Sequence, residues 1–161
     1  MDREECVRFA TKYTEDLLSF FGLNVAVDST VDGEVIKLMI PSTSANALLI
    51  GKDAKNLKAL QHIVNMALAA KGGELNWVNI DIAEYRQKHN EIIEKKAEGW
   101  IRNVRKSGKT MEIADLNPEE RRTIHKLAEE FSGVKTYSKG DRSNRILCIE
   151  ATNDDPEAEE L

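Results

Sequence analysis

Asn117-Pro118-Glu119-Glu120-Arg121-Arg122-Thr123-Ile124-His125 is the most informative stretch of this chain, because it sets an arginine and a histidine four residues apart at the start of a helix. Asn117 is a good N-cap, Pro118 suits the first helical position, and Glu119 and Glu120 favour the positive end of the helix dipole. Ile124, Leu127, Ala128 and Phe131 then recur at helical spacing, and Gly133 ends the run. Arg121 and His125, four residues apart, share one face of that helix, with Arg122 one step round. A guanidinium forks onto phosphate oxygens, and an imidazole stacks or donates, so the pair fits a nucleic-acid contact. The same spacing also fits two solvated side chains, and the pair alone decides nothing.

Working outward, strands are expected at residues 110–113, 134–138 and 145–150, with Lys139-Gly140-Asp141 turning between the last two. Upstream, residues 84–107 read as one long helix, with Tyr85, Ile92, Ala97, Trp100, Ile101 and Val104 spaced for burial. Its other faces are basic. Gly99 costs that helix about 1 kcal/mol relative to alanine, which points to close packing or a slight bend. Nearer the N-terminus, residues 3–21 form an amphipathic pattern with Val7, Ala10, Tyr13, Leu17, Leu18 and Phe21 toward a core and Gly22 as the stop. Strand patterns follow at residues 23–28 and 34–40 around an Asp32-Gly33 turn. A short helix ends at Ile50, capped by Ser42 or Thr43; a second covers about 54–70, and a strand covers 76–82. The whole is an α+β chain of two small domains joined by a long helix.

At 161 residues and 41% hydrophobic content, two small cores are affordable. Cys6 and Cys148 lack metal-ligand spacing, so neither a disulfide framework nor a metal site is expected, and a reducing cytoplasm is the simplest home. No apolar run reaches membrane-spanning length. The net charge of −5 argues at first against nucleic acid, but it is unevenly placed: −4 over residues 1–85, +5 over 86–145 and −6 over the rest. The middle block is locally basic, and residues 151–161 read as an acidic, disordered tail. Trp77 and Trp100 read as core, Cys6 and Cys148 as small hydrophobes, and His62 as a surface or half-buried packing residue.

A second signal lies at Leu48-Leu49-Ile50-Gly51-Lys52-Asp53-Ala54-Lys55-Asn56-Leu57. A Gly-led turn between two helices exposes backbone N–H groups where a phosphate binds favourably, and Lys52 and Lys55 add charge. An ordinary helix-to-helix turn fits the same residues.

With that loop and the following Lys58-Ala59-Leu60-Gln61-His62-Ile63-Val64-Asn65, residues 1–83 resemble a bacterial-type (type II) KH domain, whose GXXG loop clamps nucleotide backbone. Residues 84–150, with 84–107 as the linking helix, resemble an R3H domain, named for the Arg-x-x-x-His pair matched by Arg121 and His125. The order of the two, the Asp81-Ile82-Ala83-Glu84-Tyr85-Arg86 junction and the Asn117-Pro118 helix together resemble the Jag (SpoIIIJ-associated, KhpB) family of bacterial RNA-binding proteins. Ala54 stands where the family's loop has its second glycine. An alanine there disfavours positive φ and sets a methyl where a phosphate should approach, and Asp53 adds a negative charge. Proteins of the family often carry a further N-terminal domain, so this chain reads as a fragment or a short member.

The resemblance implies a cytoplasmic, non-catalytic protein that binds single-stranded RNA, with single-stranded DNA as a second ligand, no cofactor and no membrane insertion. A KH-domain protein or a second copy of the chain is the protein partner it suggests. Arg121 and His125 would make the main contacts, with Arg122 and Arg145 as neighbours, and Gly51, Lys52 and Lys55 would form a weaker loop site. Arg102, Arg105, Lys106 and Lys109 would extend a basic track. Two rivals remain. A nuclease using His125 as general base would need an orienting carboxylate, for which Glu129 is the one at hand, and a second acid or metal. A protein-interaction scaffold would use the basic faces to dock an acidic partner.

Overall fold

The computed structural model describes residues 1–153, and most of the expected acidic tail lies outside them. The chain divides into two compact units, Met1–Arg86 and the residues from Gln87 onward.

In the first unit, helix α1 (Arg3–Ser19) is followed by strands β1 (Asp28–Asp32) and β2 (Val35–Ile40), helix α2 (Asn46–Ile50), a 3-10 turn at Lys52–Ala54, helix α3 (Lys55–Lys71) and strand β3 (Trp77–Ile82). The sheet order is β1-β2-β3, antiparallel between the first two and parallel between the last two. Asp2 caps α1 in a reciprocal box with Glu5. Cys6, Ala10, Thr14 and Leu18 of α1, Leu57, Leu60, Val64 and Leu68 of α3, and Ile36, Leu38, Ile40, Val78, Ile80 and Ile82 of the strands make the core. Helix α3 is also stitched to the outer edge of β3. Val78 N donates to Asn65 Oδ1 at 2.6 Å, Asn65 Nδ2 donates to Val78 O at 3.0 Å, and Ile80 N donates to Gln61 Oε1 at 3.0 Å.

Several expectations change here. The strand expected at residues 23–28 falls instead at Asp28–Asp32, every residue of which is exposed. The two-residue turn at Gly33-Glu34 pairs Asp32 with Val35, so the ladder runs out at Asp28. Leu23, Val25 and Val27 alternate into the core without pairing, so the period-2 pattern reported burial rather than a ladder. Neither Ser42 nor Thr43 caps α2; its N-cap is Ala45, without a side-chain bond. Phe21 is half exposed beyond the end of α1. Trp77 is 55% exposed, because Val78, Ile80 and Ile82 take the helix-covered face and put Trp77 on the open one.

In the second unit, helix α4 (Tyr85–Ser107, its first residues still in the first unit) leads to strand β4 (Met111–Ile113), helix α5 (Pro118–Ala128) and strands β5 (Val134–Lys139) and β6 (Ile146–Ala151). The sheet order is β4-β6-β5, antiparallel throughout. Ile93, Ala97, Ile101 and Val104 of α4, Ile124 and Ala128 of α5, and Leu147 and Ile149 of β6 form a separate core. Ile93, not Ile92, is the buried residue of that pair, since it lies four residues before Ala97. A Cβ on Gly99 would meet nothing within 4 Å, so Gly99 serves no close packing. Both cysteines are buried and free.

Candidate nucleic-acid interface

The start of α5 is fixed by its own sequence. Asn117 Oδ1 accepts from Glu120 N at 2.9 Å, and Glu120 Oε2 accepts from Asn117 N at 2.8 Å. The other oxygen of that carboxylate lies 2.8 Å from His89 Nε2 on α4. A single acid thus closes the cap and ties α5 to its neighbour.

One turn on, Arg121 Nη1 donates to the carbonyl of Leu116, leaving the remaining guanidinium nitrogens for other acceptors. His125 turns toward β5, with Nδ1 2.7 Å from Thr136 Oγ1 and Nε2 3.2 Å from Ser138 Oγ. Hydroxyls donate or accept, so a neutral imidazole is satisfied there in either tautomer. Burial pushes the His125 pKa below its ordinary 6.5; the charges of Arg121 and Arg145 push the same way, and Glu129 opposes them. Burial and the charges of these two arginines therefore both favour the neutral form of the ring.

A histidine held neutral contributes stability in full above its unfolded pKa, and this is lost as pH falls through that value toward the lowered folded one. Denaturant unfolding of the second unit is thus expected to show stability falling as pH drops through the ordinary histidine range around 6.5. The His125→Gln variant should show a shallower slope.

Arg122 and Arg145 are exposed. Arg102, Arg105 and Lys106 lie on the last turns of α4 and Lys109 just beyond, a group on a different element from the Arg121 cluster. Arg102 lies 3.7 Å from Glu98, a surface pairing too weak to hold it from another anion.

In the first unit, Gly51 adopts φ 71° and ψ 176°, a region open essentially to glycine alone. Asn56 Nδ2 closes over it and donates to Leu48 O at 2.7 Å. Asp53 and Ala54 both take left-handed conformations despite lacking glycine's freedom, with φ of 55° and 57°. That costs on the order of 1 kcal/mol each, held by the Asn56 clamp and by burial of Ala54 and Leu57. Ala54 is buried in the first unit's core. Lys52 and Lys55 are exposed on this turn.

Sequence reasoning missed Thr136 and Ser138, whose hydroxyls satisfy the imidazole, and the Asn56 clamp. The Asn-x-x-Glu capping box was legible, but the tie from Glu120 to His89, 31 residues away, was not. Among the described residues no cluster of side chains suits a metal ion, and no helix is long and apolar enough to cross a membrane.

A basic helix seated on a strand of hydroxyl side chains, over a small antiparallel sheet, is a site suited to nucleic-acid backbone, and residues 91–151 match the model of the R3H domain. The chain is also similar to curated RNA-binding proteins named KhpB. That of Clostridium symbiosum is 29% identical over 133 residues, covering 81% of this chain and 60% of the relative. That of Bacillus subtilis (strain 168) is 33% identical over 105 residues, covering 64% and 50%. That of Streptococcus pneumoniae serotype 2 is 24% identical over 149 residues, covering 92% and 45%. The chain spans roughly half the length of the curated relatives it matches. The R3H match falls within the second unit, and the KhpB relatives match residues of both units at modest identity.

Proposed function

We propose that this protein binds single-stranded RNA without catalysis and acts as a post-transcriptional regulator. Its main contact is the α5 surface of Arg121, His125, Arg122 and Arg145. The observation that carries this reading is a His125 ring, on the same helix as Arg121 and Arg122, satisfied by the hydroxyls of Thr136 and Ser138. Such an arrangement leaves positive charge for an incoming phosphate. It suits a general base poorly, because neither ring nitrogen is held by a carboxylate, and Glu129 acts on the ring only through its charge.

The first unit, on this reading, is a KH domain of the bacterial type. Its helix-strand-strand-helix-helix-strand order and its Gly51 turn support the assignment. The loop of Gly51, Lys52 and Lys55 is the second, weaker contact, since Asp53 offsets part of its charge. Arg102, Arg105, Lys106 and Lys109 add sequence-independent affinity.

With four or five phosphates neutralised, a plot of log affinity against log salt for single-stranded RNA is expected to fall with a slope of about −3. Fluorescence titrations at several salt concentrations measure it. A flat plot would remove the electrostatic basis of the reading and favour a protein-docking role for the basic faces.

A further inference from the structure

One peptide unit joins the cap of α5 to the arginine of its first turn. Its N–H, on Asn117, donates to Glu120 Oε2 at 2.8 Å, and its C=O, on Leu116, accepts from Arg121 Nη1. The two groups of a trans peptide point opposite ways in one plane. The carboxylate therefore holds that plane from one side, and the carbonyl on the other side orients the guanidinium. The second carboxylate oxygen, Glu120 Oε1, lies 2.8 Å from His89 Nε2 on α4. His89, Glu120, the Leu116–Asn117 peptide and Arg121 thus form one chain of hydrogen bonds, all within the second unit.

This chain differs from a loose surface contact in three ways. The Glu120 side chain is 12% exposed and that of His89 31%, so the tie is shielded where fully solvated ion pairs contribute little. Each bond polarises the next, and a peptide whose N–H donates to a carboxylate offers the arginine a stronger carbonyl acceptor. The peptide also lies outside regular structure: Leu116 follows Asp115, whose φ is 60°, in the loop between β4 and α5. Neighbouring residues close only the box between Asn117 and Glu120. The free oxygen of that carboxylate is fixed by a residue 31 positions away.

We propose that His89 is a positioning residue for RNA binding, which holds the Arg121 guanidinium in place through Glu120 and the Leu116–Asn117 peptide. The proposal rests on the RNA reading above and names a residue outside the contact surface on which the main contact depends. A guanidinium already fixed loses less side-chain freedom on meeting a phosphate, so its ordering appears as affinity without any added charge.

The test is a double-mutant cycle on the full chain, read as affinity for a single-stranded RNA oligomer. His89→Ala is expected to weaken binding by about 2- to 10-fold, the range for freeing one long side chain, with the salt slope unchanged. In an Arg121→Ala background the same substitution should change nothing. His89→Gln, which sets a side-chain N–H near the place of Nε2, should recover most of the loss. Relaxation of Arg121 Nε in the RNA-free protein gives a readout that a simple staple between helices would not move. It should report a rigid side chain in wild type and His89→Gln, and a mobile one in His89→Ala. The unfolding midpoint checks each variant, and His89→Asn, too short to reach Glu120, takes the place of His89→Ala if that variant does not fold. An equal loss in both backgrounds, or an Arg121 side chain as rigid in His89→Ala as in wild type, overturns the proposal and leaves the RNA reading standing. Arg121→Ala binding as tightly as wild type overturns both.

Discussion

Arg121→Glu is expected to weaken binding of single-stranded RNA by about 10- to 100-fold. A charge-assisted hydrogen bond to phosphate is worth about 1.5–3 kcal/mol, and each 1.4 kcal/mol or so is tenfold in affinity. The salt slope should also shrink by about 0.7, the share of a single phosphate on a single strand. Arg121→Lys separates charge from geometry, since lysine keeps the charge without the planar fork; it should keep most of the slope and lose part of the affinity. Arg121 also donates to Leu116 O, so the unfolding midpoint must be measured alongside. Weaker binding with the fold intact supports the assignment. Unchanged affinity in the Glu variant would sink α5 as the main RNA surface.

Gly51→Ala is expected to destabilise the first unit by about 2–4 kcal/mol. The backbone at φ 71° and ψ 176° costs a non-glycine residue about 1–3 kcal/mol. A Cβ there would also lie 2.7 Å from Asn56 Cγ, forcing that side chain off Leu48 O and breaking a hydrogen bond worth about 1 kcal/mol. For a unit of this size the thermal midpoint should drop by about 10–30 °C. Asn56→Ala alone should cost only the hydrogen-bond part. A Gly51→Ala midpoint equal to wild type would show that the turn relaxes to another conformation at little cost, and the loop would then not be held rigid for binding.

Much of the architecture was legible because it rests on local chemistry. The Asn117 cap, the Pro118 start and the Glu120 box each act within one turn of helix, so neighbouring residues specify them. Helices α1, α3 and α4 were found within a few residues by their 3.6-residue period, and the Gly-led turns by residue type. Misreadings arose where one pattern had two physical causes. Leu23, Val25 and Val27 alternate as a strand does, yet pairing is decided by the Gly33-Glu34 turn and by β2. Trp77 is apolar and lies on a strand, but which face of a three-stranded sheet stays open depends on where the helices pack. Ala54 was expected to resist positive φ, and the strain is met by burial that the local sequence does not display.

Neighbouring residues alone specify the helix carrying Arg121 and His125, the glycine turn before Lys52, and the basic block in an acidic chain. These follow from caps, backbone freedom and charge count, which are properties of consecutive residues. Packing then set what those side chains meet: β5 hydroxyls hold His125, Glu120 reaches His89, and Phe20 stands in solvent over a groove. Each depends on residues far apart in the chain meeting in space, and that meeting is set by how two small cores bury their apolar faces.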